Sequence, residues 1–323
     1  NIILTIPIFF ISFFILVVVR ISSPFFLIRW DWMDSPRIGQ FAKWIELYFC
    51  NIDAGINKPK KRYLDLFYLR SKYICNRQLE KMWRRKLIIL PRWLLEPIYK
   101  VNRFINIFIP NGRKHEIGNF SMKDTNNLLE KYKPHLNFTE SEEIKGKKIL
   151  KELGLKKDDK FVCLLVRDAG YLNRHQKHEL TERWTYHNYR DGDIDKYVLA
   201  AEELANRGYY VFRMGINVLK PLKSSNPRVI DYSNLKIRSD FADIYLGAKC
   251  SFCISTGSGF DEIPIIFRKP IAYASFVPLA LAETHNKNTL ILIKDHISKK
   301  NRKRLTISEI FNSNVGYSFT SEE

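Results

Sequence analysis

Three arginines in the second half of the chain stand where predicted buried strands end or a helix begins. Arg167 directly follows the apolar run 161–166, Arg213 closes the run 209–213, and Arg238 precedes a helical stretch. A guanidinium group can grip a phosphate through two parallel hydrogen bonds, so three of them at one sheet edge predict a diphosphate site. The alternative is that each arginine braces a loop against a neighbouring acid.

A second candidate anion site is the turn Ser-Thr-Gly-Ser-Gly at 255–259, which follows the predicted strand 252–255. Free backbone N–H groups at the start of a helix favour an anion. The turn matches neither a Walker A loop nor a G-x-G-x-x-G fingerprint, and tight packing of the turn is the alternative explanation. The residues assigned to this anion site are Thr256, Gly257, Ser258 and Gly259.

Acidic residues beside these groups are the candidates for proton transfer and for contacts with a nucleotide. Asp168 could orient Arg167 or accept a proton as a general base. Glu262, one turn after the glycines, could reach a ribose or a base edge, and a solvated first-turn acid is the alternative. Asp240, two residues after Arg238, is assigned to the same binding site.

The cysteines and histidines do not form a metal set. Five cysteines are scattered along the chain, and Cys250 and Cys253 straddle the start of an apolar strand without a second pair or a nearby histidine. His175, His178 and His187 share one predicted polar loop, in which neither a cysteine nor a carboxylate completes the set of metal ligands. We therefore predict buried structural thiols and no bound metal.

The elements that carry these residues alternate between apolar strands and helices, including an amphipathic helix at 193–207 and a helix capped by Ser239. Continuous apolar strands separated by helices indicate a parallel sheet covered on both faces. Such sheets bind ligands at the carboxyl ends of their strands. The strands predicted in this half are 161–166, 209–213, 229–232, 252–255, 271–274 and 290–293.

The first half of the chain alternates in the same way, with shorter elements. Strands are predicted at 63–68 and 87–90, helices at 77–85, 93–104, 128–132 and 140–153, and a loop at 109–124.

Residues 2–19 form an apolar run without a charge before Arg20. A run of about this length can span the hydrocarbon core of a bilayer. The apolar patch 24–28 is expected in the membrane interface beside Trp30 and Trp32. The sequence therefore predicts an N-terminal membrane helix.

A net charge of +19 predicts an anionic partner. Residues 58–103 hold 14 Lys or Arg against 3 acids, and positive charge beside a membrane segment indicates the cytoplasmic side of the inner membrane. No zinc finger, helix-turn-helix or RNP-like strand is visible, so nucleic acid is not the expected partner. We expect an anionic membrane surface and a phosphorylated substrate.

Eight ordered stretches resemble a family of bacterial glycosyltransferases from surface-polysaccharide gene clusters. The resemblance implies a GT-B-like fold of two Rossmann-like domains. It also implies transfer of a sugar from a nucleotide-sugar donor, which is a substrate, and no cofactor is expected. The acceptor it implies is a lipid-linked or glycan precursor of the lipopolysaccharide or capsule type. The stretches are RIGQFA (37–42), ELYFC (46–50), GINKPKKRYLDLFY (55–68), ICNRQLEKMWRRKL (74–87), VRDAGYLN (166–173), YRDGDIDKY (189–197), RSDFADIYLGAKCSF (238–252) and STGSG (255–259).

The second half is also similar, more distantly, to GDP-fucose-dependent fucosyltransferases. In those enzymes a strand ends in a His-x-Arg motif whose arginine binds the donor diphosphate, and Arg167 takes that place here. Leu165 stands where the motif has histidine. The similarity implies metal-independent, inverting transfer of a hexosyl or fucosyl group. Asp191-Gly192-Asp193 has the letters of a metal motif but is interpreted as a helix cap.

The expected organisation is a membrane segment at 1–30, an acceptor-side domain at 31–150 and a donor domain at 151–323. Arg37 and Gly39 are assigned to the acceptor side, because a glycine allows close backbone approach. The rival functions are a two-domain nucleotide-sugar epimerase or phosphoglycerol-type transferase, a catalytically inactive membrane-bound scaffold, and a basic nucleic-acid binder.

Overall fold

The computed structural model describes residues 2–109, 112–118, 123–171, 188–282, 287, 289–313 and 315–317, with side chains from residue 7. The chain divides into two compact units. Unit 1 comprises Asn1–Asp124 and His135–Asn137, and unit 2 comprises Thr125–Pro134 and Phe138–Glu323. The division lies near residue 124, earlier than the expected boundary at 150, and the helix expected at 140–153 belongs to unit 2.

Unit 1 is built on a three-stranded parallel sheet in the order β1-β2-β3. Helices connect the strands, as parallel pairing requires. The core collects apolar side chains of β1, β2 and the first and last helices of the unit. Its elements are α1 (Ile2–Ser22), β1 (Leu27–Met33), α2 (Ile38–Asp53), β2 (Tyr63–Leu69), α3 (Arg77–Arg84), β3 (Ile88–Ile89) and α4 (Arg92–Ile105).

The N-terminal segment differs from the sequence expectation. None of the helices that the structure describes is long and apolar enough to cross a membrane, so the predicted membrane-spanning helix is not supported. The helix α1 instead packs Leu16 and Val19 against α4. The patch expected in the membrane interface continues into β1, where Trp30 is buried and its ring stacks on His115 at 5.4 Å.

Unit 2 is built on a six-stranded parallel sheet in the order β6-β5-β4-β7-β8-β9. The α/β architecture with parallel sheets is thereby confirmed. Its strands are β4 (Phe161–Leu165), β5 (Tyr210–Arg213), β6 (Val229–Ile230), β7 (Phe252–Ser255), β8 (Ile271–Phe276) and β9 (Leu290–Ile293). Its helices are α5 (Leu128–Lys131), α6 (Glu140–Glu152), α7 (Val198–Asn206), α8 (Asp240–Lys249), α9 (Glu262–Ile266) and α10 (Ile307–Asn312).

Local sequence explains where several helices begin. Asn76 accepts a hydrogen bond from the backbone N–H of Leu79 at 2.8 Å and starts α3. Thr139 forms a capping box with Glu142 and starts α6, and Ser239 caps α8 as predicted. Such caps satisfy backbone donors that have no partner within the helix.

The predicted helix at 193–207 is divided in the structure. Asp193 accepts a hydrogen bond from the backbone N–H of Asp195 and caps a 3-10 helix at Ile194–Tyr197. The α-helix α7 follows from Val198. The interpretation of Asp193 as a cap therefore agrees with the observed contact.

Candidate functional site

The strand order of unit 2 reverses between β4 and β7. From β4 the chain adds β5 and then β6 on one side, and it then adds β7, β8 and β9 on the other side. In open parallel sheets the crevice at the carboxyl ends of the strands at such a switch point is where ligands bind. The residues that follow β4 and β7 are therefore the first candidates for a binding site.

Hydrogen bonds tie the ends of β4 and β7 together. The backbone N–H of Arg167 donates to Oγ1 of Thr256 at 2.9 Å, and the N–H of Thr256 donates to the carbonyl of Leu165 at 3.2 Å. Thr256 is fully buried. Thr256 thus holds the two strand ends in register, whereas the sequence assigned it to ligand binding.

Three cations meet beside this junction and form what we call the cation cluster: Arg167, Arg190 and Lys294. Arg167 forms an ion pair with Asp191 through Nη1 and Oδ1. Lys294, the first residue after β9, donates from Nζ to the carbonyl of Asp191 at 3.0 Å. Arg190 donates from Nη2 to the carbonyl of Gly257 at 3.1 Å. The cluster therefore connects segments that follow β4, β7 and β9.

The electrostatics of the cluster favour an added anion. Burial lowers the pKa of Arg190, and the positive charge of Arg167 lowers it further. Burial also lowers the pKa of Lys294, although the charge of Asp191 opposes that effect. Burial raises the pKa of Asp191, against the influence of Arg167. Burial and mutual repulsion disfavour the charged forms of these cations. A multiply charged anion that binds among them would stabilise those charged forms.

Arg213 and Asp168 form a brace at the end of β5. The Arg213 side chain is 1% exposed and donates from Nη1 to Oγ of Ser233 at 2.7 Å. Its Nη2 lies 3.4 Å from Oδ2 of Asp168. Asp168 also accepts hydrogen bonds from the backbone N–H groups of Gly170 and Leu219. These contacts give both residues a structural role, and the donor-binding role of Arg213 and the base role of Asp168 stay predictions.

The backbone of the turn at 255–259 adopts a conformation that favours glycine at position 257. Gly257 has a φ of +90°, and a Cβ there would lie 3.0 Å from the ring of Phe276. The N–H of Gly257 donates to Oγ of Ser255, and the N–H of Ser258 donates to the carboxylate of Asp261. Two of the backbone donors expected to meet an anion are thus occupied within the turn.

The remaining predicted donor residues of unit 2 lie in other surroundings. Arg238 pairs with Asp243 at 2.8 Å and follows β6 in the chain. Burial raises the pKa of Asp243 to about 6, and Arg238 opposes that rise. Asp240 is the first residue of α8. Glu262 is buried at the start of α9, a helix of only five residues.

The acceptor-side candidates lie where β1 meets α2. Arg37 has extended backbone and is the residue before α2, and its carbonyl accepts from the N–H of Phe41 at 2.9 Å. Gly39 is buried in the first turn of α2. Asp34, directly after β1, pairs with Arg70 at 3.2 Å.

One grouping among the described residues has the composition of a metal site. Glu46, Cys50 and His135 bring ligand atoms within 4.8 Å of one another. Both ring nitrogens of His135 contact carboxylates, those of Glu46 and Asp53, at 3.0 and 2.9 Å. We interpret this grouping as an ion-pair network. The histidines considered at 175, 178 and 187 lie outside the described residues, and all five cysteines are free.

Sequence reasoning missed Arg190, Asp191 and Lys294 as members of the site. Lys294 directly follows a predicted strand, so the rule that selected Arg167 would also have selected it. Arg190 and Asp191 come well after β4 in the chain, and no spacing in the sequence shows that they lie beside the end of that strand.

Comparisons with known proteins give similarities to solved structures only. No family model and no curated protein match the chain. A glycosyl transferase family 9 protein from Veillonella parvula has a TM-score of 0.47 at 13% identity, covering 93% of this chain and 99% of that chain. The ADP-heptose LPS heptosyltransferase II of E. coli has a TM-score of 0.47 at 11% identity, covering 90% and 98%. An E. coli heptosyltransferase with ADP-2-deoxy-2-fluoro heptose has a TM-score of 0.37 at 11% identity, covering 90% and 100%. These scores do not place the chain in the family of any of the three proteins.

Proposed function

We propose that the chain is a glycosyltransferase that moves a sugar from a nucleotide-activated donor to a surface-glycan precursor of the lipopolysaccharide or capsule type. The observation that carries the proposal is the cation cluster beside the switch point of the six-stranded sheet. A nucleoside diphosphate that leaves a donor sugar develops negative charge, which Arg167, Arg190 and Lys294 can stabilise. Stabilising such charge in a preorganised site is usually the largest contribution to catalysis.

The proposed transfer is metal-independent, because three side-chain cations can perform the neutralisation for which many transferases use a divalent ion. Inversion at the donor carbon is proposed with it, as a single displacement. The acceptor oxygen bonds to the donor carbon, the bond to the nucleoside diphosphate breaks, and the hydroxyl proton passes to a base, for which Asp168 is the candidate predicted from the sequence. The proposed location is the cytoplasmic face of the inner membrane, where the basic segment 58–103 would meet anionic lipid.

A release assay tests the proposal. The full-length chain is incubated with a panel of nucleotide sugars, a lipid-linked glycan extract and EDTA, and nucleoside diphosphate release is measured. We expect release that requires the extract, and a loss of about 100-fold or more in the Arg167→Ala variant, as for removal of a group that stabilises the transition state. The matched control is Arg207→Ala, because Arg207 is an exposed arginine of the same unit that pairs with Glu203.

The outcomes separate the rival functions. Conversion of a nucleotide sugar without any extract would indicate an epimerase. A folded protein that neither turns over nor binds any nucleotide would indicate the scaffold. Normal release in Arg167→Ala would overturn the assignment of the site.

A further inference from the structure

Only one face of the described part of α1 is buried in unit 1. Ser12, Leu16 and Val19 are buried at helical spacing, and the last two lie in the core that α4 completes. Phe14 and Ile21 are 66% and 72% exposed. A helix that is apolar all round needs a cover on its remaining faces. An exposed apolar surface of this kind marks a docking site.

The exposed apolar surface continues beyond α1. Arg20 donates from Nη2 to Oδ1 of Asn102 at 2.9 Å, which places the end of α1 beside the end of α4. Phe25, just after α1, is 85% exposed. At the end of α4 and directly after it, large apolar side chains are also exposed. These are Phe104, Ile107, Phe108 and Ile109.

A basic cavity adjoins the same end of α1. Its volume is about 470 Å³. Two lysines of the cavity lining contact Ser23, the residue after α1. Lys61 donates from Nζ to the Ser23 carbonyl, and Lys114 donates from Nζ to Ser23 Oγ at 2.8 Å. The lining contains five exposed cations and one acid, which are Lys58, Lys60, Lys61, Arg113, Lys114 and Glu116.

The five exposed cations of the lining outnumber its one acid, Glu116. Arg29, deeper in the lining, is neutralised by Asp65 through two hydrogen bonds at 2.7 and 2.6 Å. Burial lowers the pKa of His115, with further lowering by the charges of Lys114, Arg20 and Lys61. The surroundings of Ser23 therefore carry a positive potential that suits a phosphate group.

We propose that this surface docks on a membrane and that the basic cavity takes the phosphate of an anionic lipid headgroup. The apolar side chains of α1 and of the α4 end would lie in the interfacial layer, because contact with lipid acyl chains removes them from water. Basic residues at such a surface gain attraction from anionic lipid. One occupant thus explains both the apolar face and the cations at its end, and the inference does not depend on the proposed glycosyl transfer.

Vesicle co-sedimentation of the full-length chain tests the inference without any activity measurement. The vesicles contain phosphatidylcholine alone or phosphatidylcholine with phosphatidylglycerol. We expect binding to the second kind, weakened about 30-fold in the Lys58→Gln/Lys60→Gln variant if each lysine contributes about 1 kcal/mol. The control is Lys147→Gln/Lys157→Gln, which removes the same charge from exposed positions of unit 2. Phe25→Asp should weaken binding to the vesicles that contain phosphatidylglycerol, because it removes an exposed apolar side chain from the docking surface.

Three outcomes would overturn the inference. Equal loss in both lysine pairs would show that total charge acts and the cavity does not. Tight binding of glycerol phosphate or inorganic phosphate at the same lysines, without vesicle binding, would show a site for a free phosphate. No binding to either vesicle by a folded, self-associating chain would show that a second copy covers the apolar face.

Discussion

His135 holds the segment His135–Asn137 onto unit 1 and gives a measurable dependence of stability on pH. Its ring lies between Glu46, which is fully buried, and Asp53, which is half-exposed. Burial alone would lower the pKa of His135, but hydrogen bonds with Cys50 and Glu46, the charge of Glu46, and the hydrogen bond with Asp53 raise it to about 10. The protonated ring is therefore the form that the fold favours.

The size and sign of the effect follow from these contacts. A rise from 6.5 to about 10 corresponds to an upper bound of roughly 5 kcal/mol. Because Asp53 is half-exposed, its share is screened by solvent, and we expect about 3 kcal/mol in total. Since the folded-state pKa of His135 is raised, this stabilisation is complete below about pH 6.5 and is lost as the pH rises towards 10.

Urea unfolding of the full-length chain and of His135→Ala, from pH 6 to pH 10, measures this contribution. The difference in unfolding free energy between them should be about 3 kcal/mol at pH 6 and should fall towards zero at pH 10. His115→Gln is the contrasting control, because burial lowers the pKa of His115 and its effect belongs to acid pH. A difference that stays constant across the range would show that the effect comes from packing of the ring on Phe49 and not from its charge.

Three further substitutions test unit 2. Arg213→Met should lower the unfolding free energy by about 3–5 kcal/mol in urea titrations, because it leaves Asp168 without its buried partner. Gly257→Ala should cost about 1–3 kcal/mol in the same measurement, because φ is +90° and the new Cβ would press on Phe276. Lys294→Met should weaken nucleoside diphosphate binding about 10- to 100-fold by calorimetry while the melting temperature of the free protein changes little. An unchanged dissociation constant would remove Lys294 from the site.

The sheet of unit 2 could be predicted because its strands are continuous apolar runs. The run at 161–166 became β4, fully buried, and every other predicted strand of that half has a counterpart. The strand order could not be predicted from the apolar runs, because it depends on which strands lie side by side. Long-range hydrogen bonds such as the one between Arg167 and Thr256 join neighbouring strand ends, and the sequence does not show them.

The fold of unit 1 was harder to predict, because one of its apolar segments fits two different structures. Residues 24–28 with Trp30 and Trp32 have the composition of a membrane interface and also of a strand. Pairing of Leu27–Met33 with β2 decides between them, and that pairing is a long-range contact. The roles of the arginines could not be predicted either. Arg167 and Arg213 both follow strands and both pair with an acid, and burial is what separates them, since the Arg167 side chain is 11% exposed and that of Arg213 is 1% exposed.

Nucleotide binding by the cation cluster is the most direct test of the proposed function. The full-length chain, with α1 and β1 intact, is screened by thermal shift against UDP, GDP, ADP, CMP and dTDP. A ligand at 100 times its dissociation constant should stabilise the fold by about 2.7 kcal/mol. We expect a shift with one nucleoside diphosphate that is lost in Arg167→Ala and kept in Arg207→Ala. No shift with any nucleotide, or an equal shift in Arg167→Ala, would contradict it.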